Sequence, residues 1–301
     1  MSARHQLTGA GWLLALLIWT APQGGTLAAA PGGDAGRGAY LVRVAGCMTC
    51  HTAPDGPALA GGRVLKTSFG NFVSPNITPH REHGIGGWSE ADLVRALRHG
   101  ERPDGASYYP VFPYTSLSAM RLVDISDIYA YLMAGPALAN QVPDHDLSFP
   151  FSWRFLMVIW KWLFFEPAEV VDDPQKSATW NRGAYLVRAL AHCGECHTRR
   201  NWLGVSDRAQ ALAGTAQGPD GRSVPNITPD RRTGIGGWSR GEVNELLASG
   251  TKPDFDNVQG AMEEVIELGL KFLTAADRDA IADYLLALPP RSGIARRRAA
   301  Y

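Results

Sequence analysis

Two five-residue motifs contain every cysteine of the chain. The first reads Cys47-Met48-Thr49-Cys50-His51, and the second begins about half a chain later and reads Cys193-Gly194-Glu195-Cys196-His197. In each motif two residues separate the cysteines, and a histidine directly follows the second one. A Cys-x-x-Cys-His motif is the attachment signal of a c-type haem.

The spacing suits the chemistry of attachment, since two thiols can add to the two vinyl groups of one porphyrin while the histidine ligates the iron. Zinc knuckles, thioredoxin-like redox pairs and disulfides are the alternatives. A zinc site would need four ligands from two nearby Cys-x-x-Cys units, whereas these pairs lie far apart and each has its own histidine. The sequence therefore predicts two covalently attached haem c groups, whose protein attachments are Cys47, Cys50, His51, Cys193, Cys196 and His197.

The N-terminus predicts export, which haem attachment requires. Arg4 and His5 form a short basic start, an apolar run covers 12–19, and small residues at 27–30 offer a cleavage site. The apolar run is shorter than the roughly 20 residues that span a bilayer. We expect 1–30 to be a signal peptide and the mature protein to be periplasmic, in an environment where unmodified thiols would tend to pair.

The charge of the chain argues against a nucleic-acid partner. Lysine and arginine number 29 and acidic residues also number 29. A nucleic-acid-binding protein usually has a basic excess, and here only a short C-terminal tail, 293–301, is markedly basic.

The sequence contains an internal repeat that is longer than the haem motifs. Its simplest explanation is two copies of one domain, which we place at 31–140 (the first repeat) and 176–292 (the second repeat), with an interdomain segment at 141–175. The stretches that return are Arg37–Arg43 as Arg182–Arg188, Ala58–Gly61 as Ala211–Gly214, Pro75–Pro79 as Pro225–Pro229, and Gly84–Ser89 as Gly234–Ser239.

Each repeat predicts the same helices. A first helix runs into the haem motif, and a loop rich in Gly, Pro and Asn follows. Ser89 and Ser239 then begin a second helix with the pattern of a capping box, and a last helix carries Ile125 or Ile281. Alternating apolar residues are scarce, so we expect few strands and an all-α fold.

These motifs, together with 102–105 (Arg-Pro-Asp-Gly) and 109–114 (Tyr-Pro-Val-Phe-Pro-Tyr), resemble class I c-type cytochromes. The chain is most similar to the multi-haem cytochrome subunits of periplasmic alcohol, gluconate and aldehyde dehydrogenases, and the resemblance covers nearly all of the mature chain. Those subunits generally hold three haems, whereas this chain has motifs for two. The resemblance implies a dihaem relative that consists of two tandem class I cytochrome c domains related by internal duplication.

The sixth ligand of a haem that transfers electrons is usually methionine, because its soft thioether favours reduced iron. The chain has six methionines. Met262 follows Pro253 by nine residues and precedes the last helix, which is where the resemblance places an axial methionine. We predict that Met262 lies opposite His197, with a packing role as the alternative.

The first repeat departs from this pattern. Nine residues after Pro103 stands Phe112, which cannot ligate iron, and Met120 is the only other methionine before the last helix of the repeat. We predict Met120 as the ligand opposite His51. The alternatives are an open five-coordinate iron or ligation by Met133, His80, His83 or His99.

Two residue types that occur in both repeats are candidates for haem contact. Trp88 and Trp238 are expected at the haem edge, where the indole N–H can donate to a propionate. Asn76 and Asn226 are similar candidates. A role in the protein core is the alternative for the tryptophans, and repetition alone does not separate the two.

The segment 149–167 is the most aromatic stretch of the chain. Arg154 and Lys161 interrupt it and prolines bound it, so a bilayer span is not expected. An interdomain core helix, a helix in peripheral contact with the membrane, and a docking surface for a partner enzyme remain open. The exposure of Trp160 and Trp162 is expected to separate these uses.

The predicted function is electron transfer from a periplasmic dehydrogenase to quinone or a terminal oxidase, with the redox chemistry supplied by the haems. Because no catalytic arrangement has motif support, we do not expect this chain to convert a substrate by itself. A dihaem peroxidase is the first alternative and would need an open iron at the first haem. A dihaem thiosulfate dehydrogenase would need a further cysteine ligand, and an assembly subunit would have haems of secondary importance.

Overall fold

The computed structural model describes residues 32–218 and 221–293, which belong to one compact unit. Helical content is 40% and strands are few, as an all-α sequence predicts. The predicted signal peptide at 1–30, and all but the first residue of the tail at 293–301, lie outside the described residues.

The first repeat contains the helices that its sequence predicts. Ser89 caps α3 through a capping box with Asp92, and Gly100 ends that helix with a left-handed φ of 61°. The helices of this repeat are α1 (Ala35–Val44), α2 (Cys47–His51), α3 (Glu90–His99), α4 (Tyr114–Leu117) and α5 (Leu122–Ala134).

The second half of the chain has a matching order. Ser239 forms a capping box with Glu242, as Ser89 does with Asp92. The α-helices are α6 (Leu156–Phe164), α7 (Ala178–Tyr185), α8 (Gly194–His197), α9 (Arg240–Ser249), α10 (Ala261–Leu268) and α11 (Ala275–Leu286). A π-helical turn covers Leu186–Leu190, and 3₁₀ turns cover Arg208–Gln210 and Leu270–Phe272.

The first and last helices of each repeat cross at a glycine. A Cβ atom on Gly38 would lie 2.0 Å from the carbonyl oxygen of Asp127 in α5, and one on Gly183 would lie 1.9 Å from that of Ala280 in α11. Only glycine permits so close an approach of two backbones. The identical Arg-Gly-Ala-Tyr stretches therefore fix the same helix crossing in both repeats.

The π-helical turn accommodates one extra residue in the second repeat. Tyr40 precedes Cys47 by seven positions, whereas the equivalent Tyr185 precedes Cys193 by eight. The backbone forms a π-helix at this point, which takes up an additional residue within a helix. The second haem motif thus keeps its place at the end of the first helix.

A small antiparallel sheet adds to the helices. Its strands are β1 (Val64–Thr67), β2 (Gly70–Val73) and β3 (Asp146–Leu147), with β2 in the centre. The sheet joins the loop after the first haem motif to the interdomain segment.

One hydrophobic core extends through both repeats. Leu41 and Val42 from α1 belong to the same buried cluster as Tyr185 and Leu186. Polar contacts cross the boundary too, since the hydroxyl of Tyr40 donates to Asp277 at 2.5 Å. The repeats therefore pack directly against each other.

The aromatic segment has a buried face and an exposed face. Trp160 is 8% exposed and its Nε1 donates to the carbonyl of Leu203 at 2.9 Å, whereas Trp162 is 83% exposed. The exposed face also contains Phe149, Trp153, Phe155, Val158, Ile159 and Leu163.

The basic residues of the segment turn toward the protein. Arg154 donates to the carbonyl of Ser107 at 3.1 Å, and Lys161 pairs with Glu101 at 3.1 Å. Within 32–218 and 221–293, no helix has both the length and the apolar character needed to cross a bilayer.

Candidate functional site

The first haem motif forms the short helix α2, which a left-handed Gly46 (φ 68°) separates from α1. The Nδ1 atom of His51 lies 2.8 Å from the carbonyl oxygen of Pro75. A carbonyl only accepts, so Nδ1 carries the proton and the lone pair of the ring is on Nε2. This hydrogen bond orients metal-ligating histidines in many proteins.

The second haem motif has the same arrangement. His197 is 7% exposed, and its Nδ1 donates to the carbonyl oxygen of Pro225 at 2.8 Å. Pro75 and Pro225 are the first residues of the two Pro-Asn-Ile-Thr-Pro stretches. The repeated loop thus selects the tautomer and orientation of each histidine. Sequence reasoning missed this role, although the return of the same loop in both repeats was a signal that could have found it.

The asparagines of the same loops bind the protein backbone. The amide of Asn76 donates to the carbonyls of Leu138 and Asn140 at 2.7 and 3.2 Å, and its oxygen accepts from the backbone and side chain of Thr78. Asn76 is 2% exposed. Its side chain therefore anchors the loop that holds His51.

Asn226 anchors the second loop in the same manner. It is fully buried, its amide donates to the carbonyl of Arg291 at 2.6 Å, and its oxygen accepts twice from Thr228. Haem contact by Asn76 and Asn226 stays a prediction, whereas their hydrogen bonds already explain why both repeats need asparagine here.

The four cysteines are not joined in disulfides. Burial is the main cause that raises the pKa of the Cys47 and Cys193 thiols to about 12, and the neighbouring cysteine of each motif adds to it. Reactive redox thiols have lowered pKa values. These buried thiols therefore do not have the character of a thioredoxin-like pair.

The donor atoms fit haem c better than zinc. In the described part of the chain, no cluster of three or more His, Cys, Asp or Glu side chains is arranged to hold a metal ion. Each motif instead offers two adjacent thiols and one imidazole whose tautomer suits axial ligation. This donor set matches one thioether-linked porphyrin per motif.

The two predicted axial methionines lie at different positions in the two repeats, because the residue equivalent to Met262 is Phe112 and Met120 comes eight residues later. Met120 stands between α4 and α5 and is 1% exposed, and Met262 lies in α10 and packs against the same core. Iron ligation by Met120 and Met262 remains a prediction.

Two of the alternative ligands in the first repeat contact each other. The imidazoles of His80 and His83 stack with a 5.1 Å separation, and Nδ1 of His80 accepts from the amide of His83 at 3.1 Å. Their contacts stabilise the turn before α3, which gives both histidines a structural explanation.

Trp88 and Trp238 immediately precede the capping serines of α3 and α9. Both pack against the hydrophobic core in part, and the carbonyl of Trp88 accepts from the hydroxyl of Tyr129 at 2.9 Å. Their predicted contact with haem stays a prediction.

A cavity of about 320 Å³ adjoins the second haem motif. Gly194 of the motif and Leu212 line it, and Ser116 reaches it from the first repeat. The surroundings of the second motif therefore include residues of both repeats.

The chain is similar to known haem proteins. It is 44% identical over 263 residues to a protein of Cereibacter sphaeroides described as "Diheme cytochrome c-type", covering 85% of this chain and 86% of that protein. Models of known protein families give no match.

Cytochrome subunits of dehydrogenases are also similar over most of the chain. The identity is 42% to the fructose dehydrogenase cytochrome subunit of Gluconobacter japonicus and 36% to the gluconate 2-dehydrogenase cytochrome c subunit of Pantoea cypripedii. The matches cover 85% and 84% of this chain, but only 53% and 59% of those subunits. This chain thus corresponds to a little over half of their length.

Proposed function

Because this chain belongs to the dihaem c-type cytochromes, we propose that it carries electrons through two covalently bound haem c groups in the periplasm. The observation that carries the proposal is the paired geometry behind the haem motifs. In each one, a loop carbonyl accepts the Nδ1 proton of the histidine that follows the cysteines. An electron carrier needs this fixed ligand geometry, because a rigid site changes little when the iron changes its charge.

The proposal includes two tandem class I cytochrome c domains, at 31–140 and 176–292, that arose by duplication. The equivalent glycine crossings, capping boxes and loop asparagines support it. The departures include the π-helical turn, the altered spacing of Met120 and the two strands β1 and β2 of the first repeat.

The chain's own residues would hold and tune each haem. Cys47, Cys50 and His51 would attach the first, and the equivalent residues of the second motif would attach the second. When bound, haem c supplies one-electron chemistry. Met120 and Met262 would occupy the sixth positions, where the buried Met120 and the partly buried Met262 would limit the access of water and small ligands to the irons.

The proposed donor is a periplasmic dehydrogenase, and the proposed acceptor is quinone or a terminal oxidase. Support for the donor comes from the cytochrome subunits of fructose and gluconate dehydrogenases, which resemble this chain over most of its length. The acceptor step is proposed by analogy with those subunits, and this chain spans a little over half of their length.

The proposal also includes peripheral contact with the membrane through 149–167. The exposed face of α6 and its preceding turn carries large apolar and aromatic side chains and no basic ones. Aromatic residues favour the interface between water and lipid. Binding to zwitterionic vesicles should therefore depend on Trp153 and Trp162 and should be insensitive to salt. Retention of vesicle binding in a Trp153→Ser, Trp162→Ser variant would contradict it.

Reduction by a dehydrogenase tests the electron-transfer proposal. The oxidised holoprotein is mixed with the catalytic subunits of fructose, gluconate or alcohol dehydrogenase and the matching substrate. We expect at least one of them to reduce both haems faster than substrate alone does. Failure of all three donors would contradict the proposed partner class.

The reaction with hydrogen peroxide distinguishes an electron-transfer protein from the alternative, a dihaem peroxidase. Two methionine ligands would leave no open iron, so reduced holoprotein should be reoxidised only slowly by peroxide. Rapid peroxide turnover with a reducing substrate would favour the peroxidase instead.

A further inference from the structure

The two haem motifs adjoin each other at the boundary between the repeats. His192, directly before the second motif, has its Nε2 3.1 Å from the carbonyl oxygen of Ala45, two residues before the first motif. Side chains of one motif can therefore act on the haem site of the other.

Glu195 makes such a contact between the repeats. Its Oε1 accepts from the hydroxyl of Thr115 at 3.0 Å and from that of Ser116, while its Oε2 pairs with Arg200. The side chain of Glu195 is 14% exposed. A partly buried carboxylate with this many donors is held in one orientation.

The equivalent position of the first motif has no such contact. Thr49 stands there, and its buried hydroxyl has no hydrogen-bond partner. The second haem motif therefore contacts the first repeat through Glu195, and the first motif makes no equivalent contact through Thr49.

The hydroxyls that Glu195 binds belong to the turn that leads to Met120. Thr115 and Ser116 lie in α4, the carbonyl of Ser116 accepts from the amide of Ala119 at 3.1 Å, and the amide of Met120 donates to Leu117 at 2.9 Å. Fixing α4 thus fixes the backbone at Met120.

We propose that Glu195 is a positioning residue for the first haem site, although it belongs to the attachment motif of the second. Its carboxylate holds α4 so that the thioether of Met120 stays opposite His51. The inference rests on the proposed function, because it requires haem in both motifs and Met120 as a ligand. It links the ligation of the first iron to the structure around the second haem.

The test counts the near-infrared methionine-to-iron charge-transfer bands of the oxidised holoprotein. The spectrum of wild type should show two such bands, and the spectrum of Glu195→Ala should show one. Since methionine favours reduced iron, the midpoint potential of the first haem should fall in that variant. Met262→His lowers the potential of the second haem and so identifies which wave belongs to which site.

A double variant keeps both motifs intact. Thr115→Val with Ser116→Ala removes only the hydroxyl donors and should likewise reduce the count to one. Ser126→Ala, in the same repeat, is the matched control, because the buried hydroxyl of Ser126 has no hydrogen-bond partner. This control should keep two bands. Glu195→Gln can still accept from both hydroxyls and should also keep two.

The outcomes separate this inference from the proposed function. Fewer than two haems in wild type would contradict the dihaem function itself. Two haems with a wild-type count of one would overturn Met120 ligation and this inference together. Two bands in wild type and two in both the Glu195→Ala and the double variant would overturn the inference alone.

Discussion

Tyr40 of the first repeat donates its hydroxyl to Asp277 of the second repeat at 2.5 Å. The contact is reciprocal, because Tyr185, the equivalent of Tyr40, donates to Asp124 of the first repeat. Each aspartate also binds the arginine three residues before its own repeat's tyrosine, Arg37 or Arg182. The two repeats thus meet as pseudo-symmetric halves, which exchange one hydrogen bond in each direction.

Removing this exchange should destabilise the holoprotein. Hydrogen bonds to charged groups contribute about 1.5–3 kcal/mol, so Tyr40→Phe should lower the free energy of unfolding by that order. Chemical denaturation measures the change. Tyr131→Phe is the matched control, since no hydrogen bond of its hydroxyl is found in the described chain, and it should change stability little. Equal effects of the two variants would contradict a special role for Tyr40.

The same contact predicts a pH dependence at the alkaline end. Burial, the hydrogen bond to Asp277 and its charge raise the pKa of Tyr40 from 10 to about 12. A raised folded pKa stabilises the protein below pH 10, and the stabilisation is lost as the pH rises toward 12. Wild type should therefore lose more stability than Tyr40→Phe between pH 10 and 12. Parallel stability curves over that range would contradict the pKa shift.

Substitution of the loop asparagines should change the free energy of unfolding more than the midpoint potentials of the haems. Asn226→Ala leaves several buried backbone and hydroxyl groups without partners and should cost about 2 kcal/mol or more. The exposed Asn257→Ala is the control and should stay within about 0.5 kcal/mol. Denaturation and redox titration are compared. A large shift in potential with unchanged stability would favour the predicted haem contact over the anchoring role.

Substitution of two neighbouring tryptophans in the aromatic segment should lower the stability of the protein to different extents. Trp160→Ala removes a buried ring and its hydrogen bond and should cost about 3–5 kcal/mol. Trp162→Ala should change stability by less than about 0.5 kcal/mol, because the side chain is 83% exposed. Thermal unfolding of both variants checks the difference. A similar loss in both would mean that the exposed face packs within the protein.

Local signals in the sequence were sufficient for the first helix, the capping-box helix and the last helix of each repeat. Ser89 and Ser239 begin α3 and α9 as their capping patterns predict, and the repeat predicts the equivalent order of elements. Such features depend on neighbouring residues, so a single sequence contains them.

Long-range contacts were not predictable in this way. Tyr40 and Asp277 are distant in sequence, and nothing near either residue marks the other. The hydrogen bond from His51 to the carbonyl of Pro75 depends on how a distant loop folds back onto the haem motif. The hydrogen bond from Ser116 to Glu195 depends on how the repeats pack. The aromatic segment illustrates the same limit, since periodicity could not decide which of Trp160 and Trp162 faces inward.

Carbon monoxide binding is the most direct test of two capped haem irons. The gas binds reduced haem iron only where the sixth position is open, and here Met120 and Met262 are proposed to fill it. The fully reduced holoprotein, after taking up two electrons per chain, should keep its spectrum when carbon monoxide is added. Binding of one carbon monoxide per chain would contradict the proposed ligation and reveal an open iron.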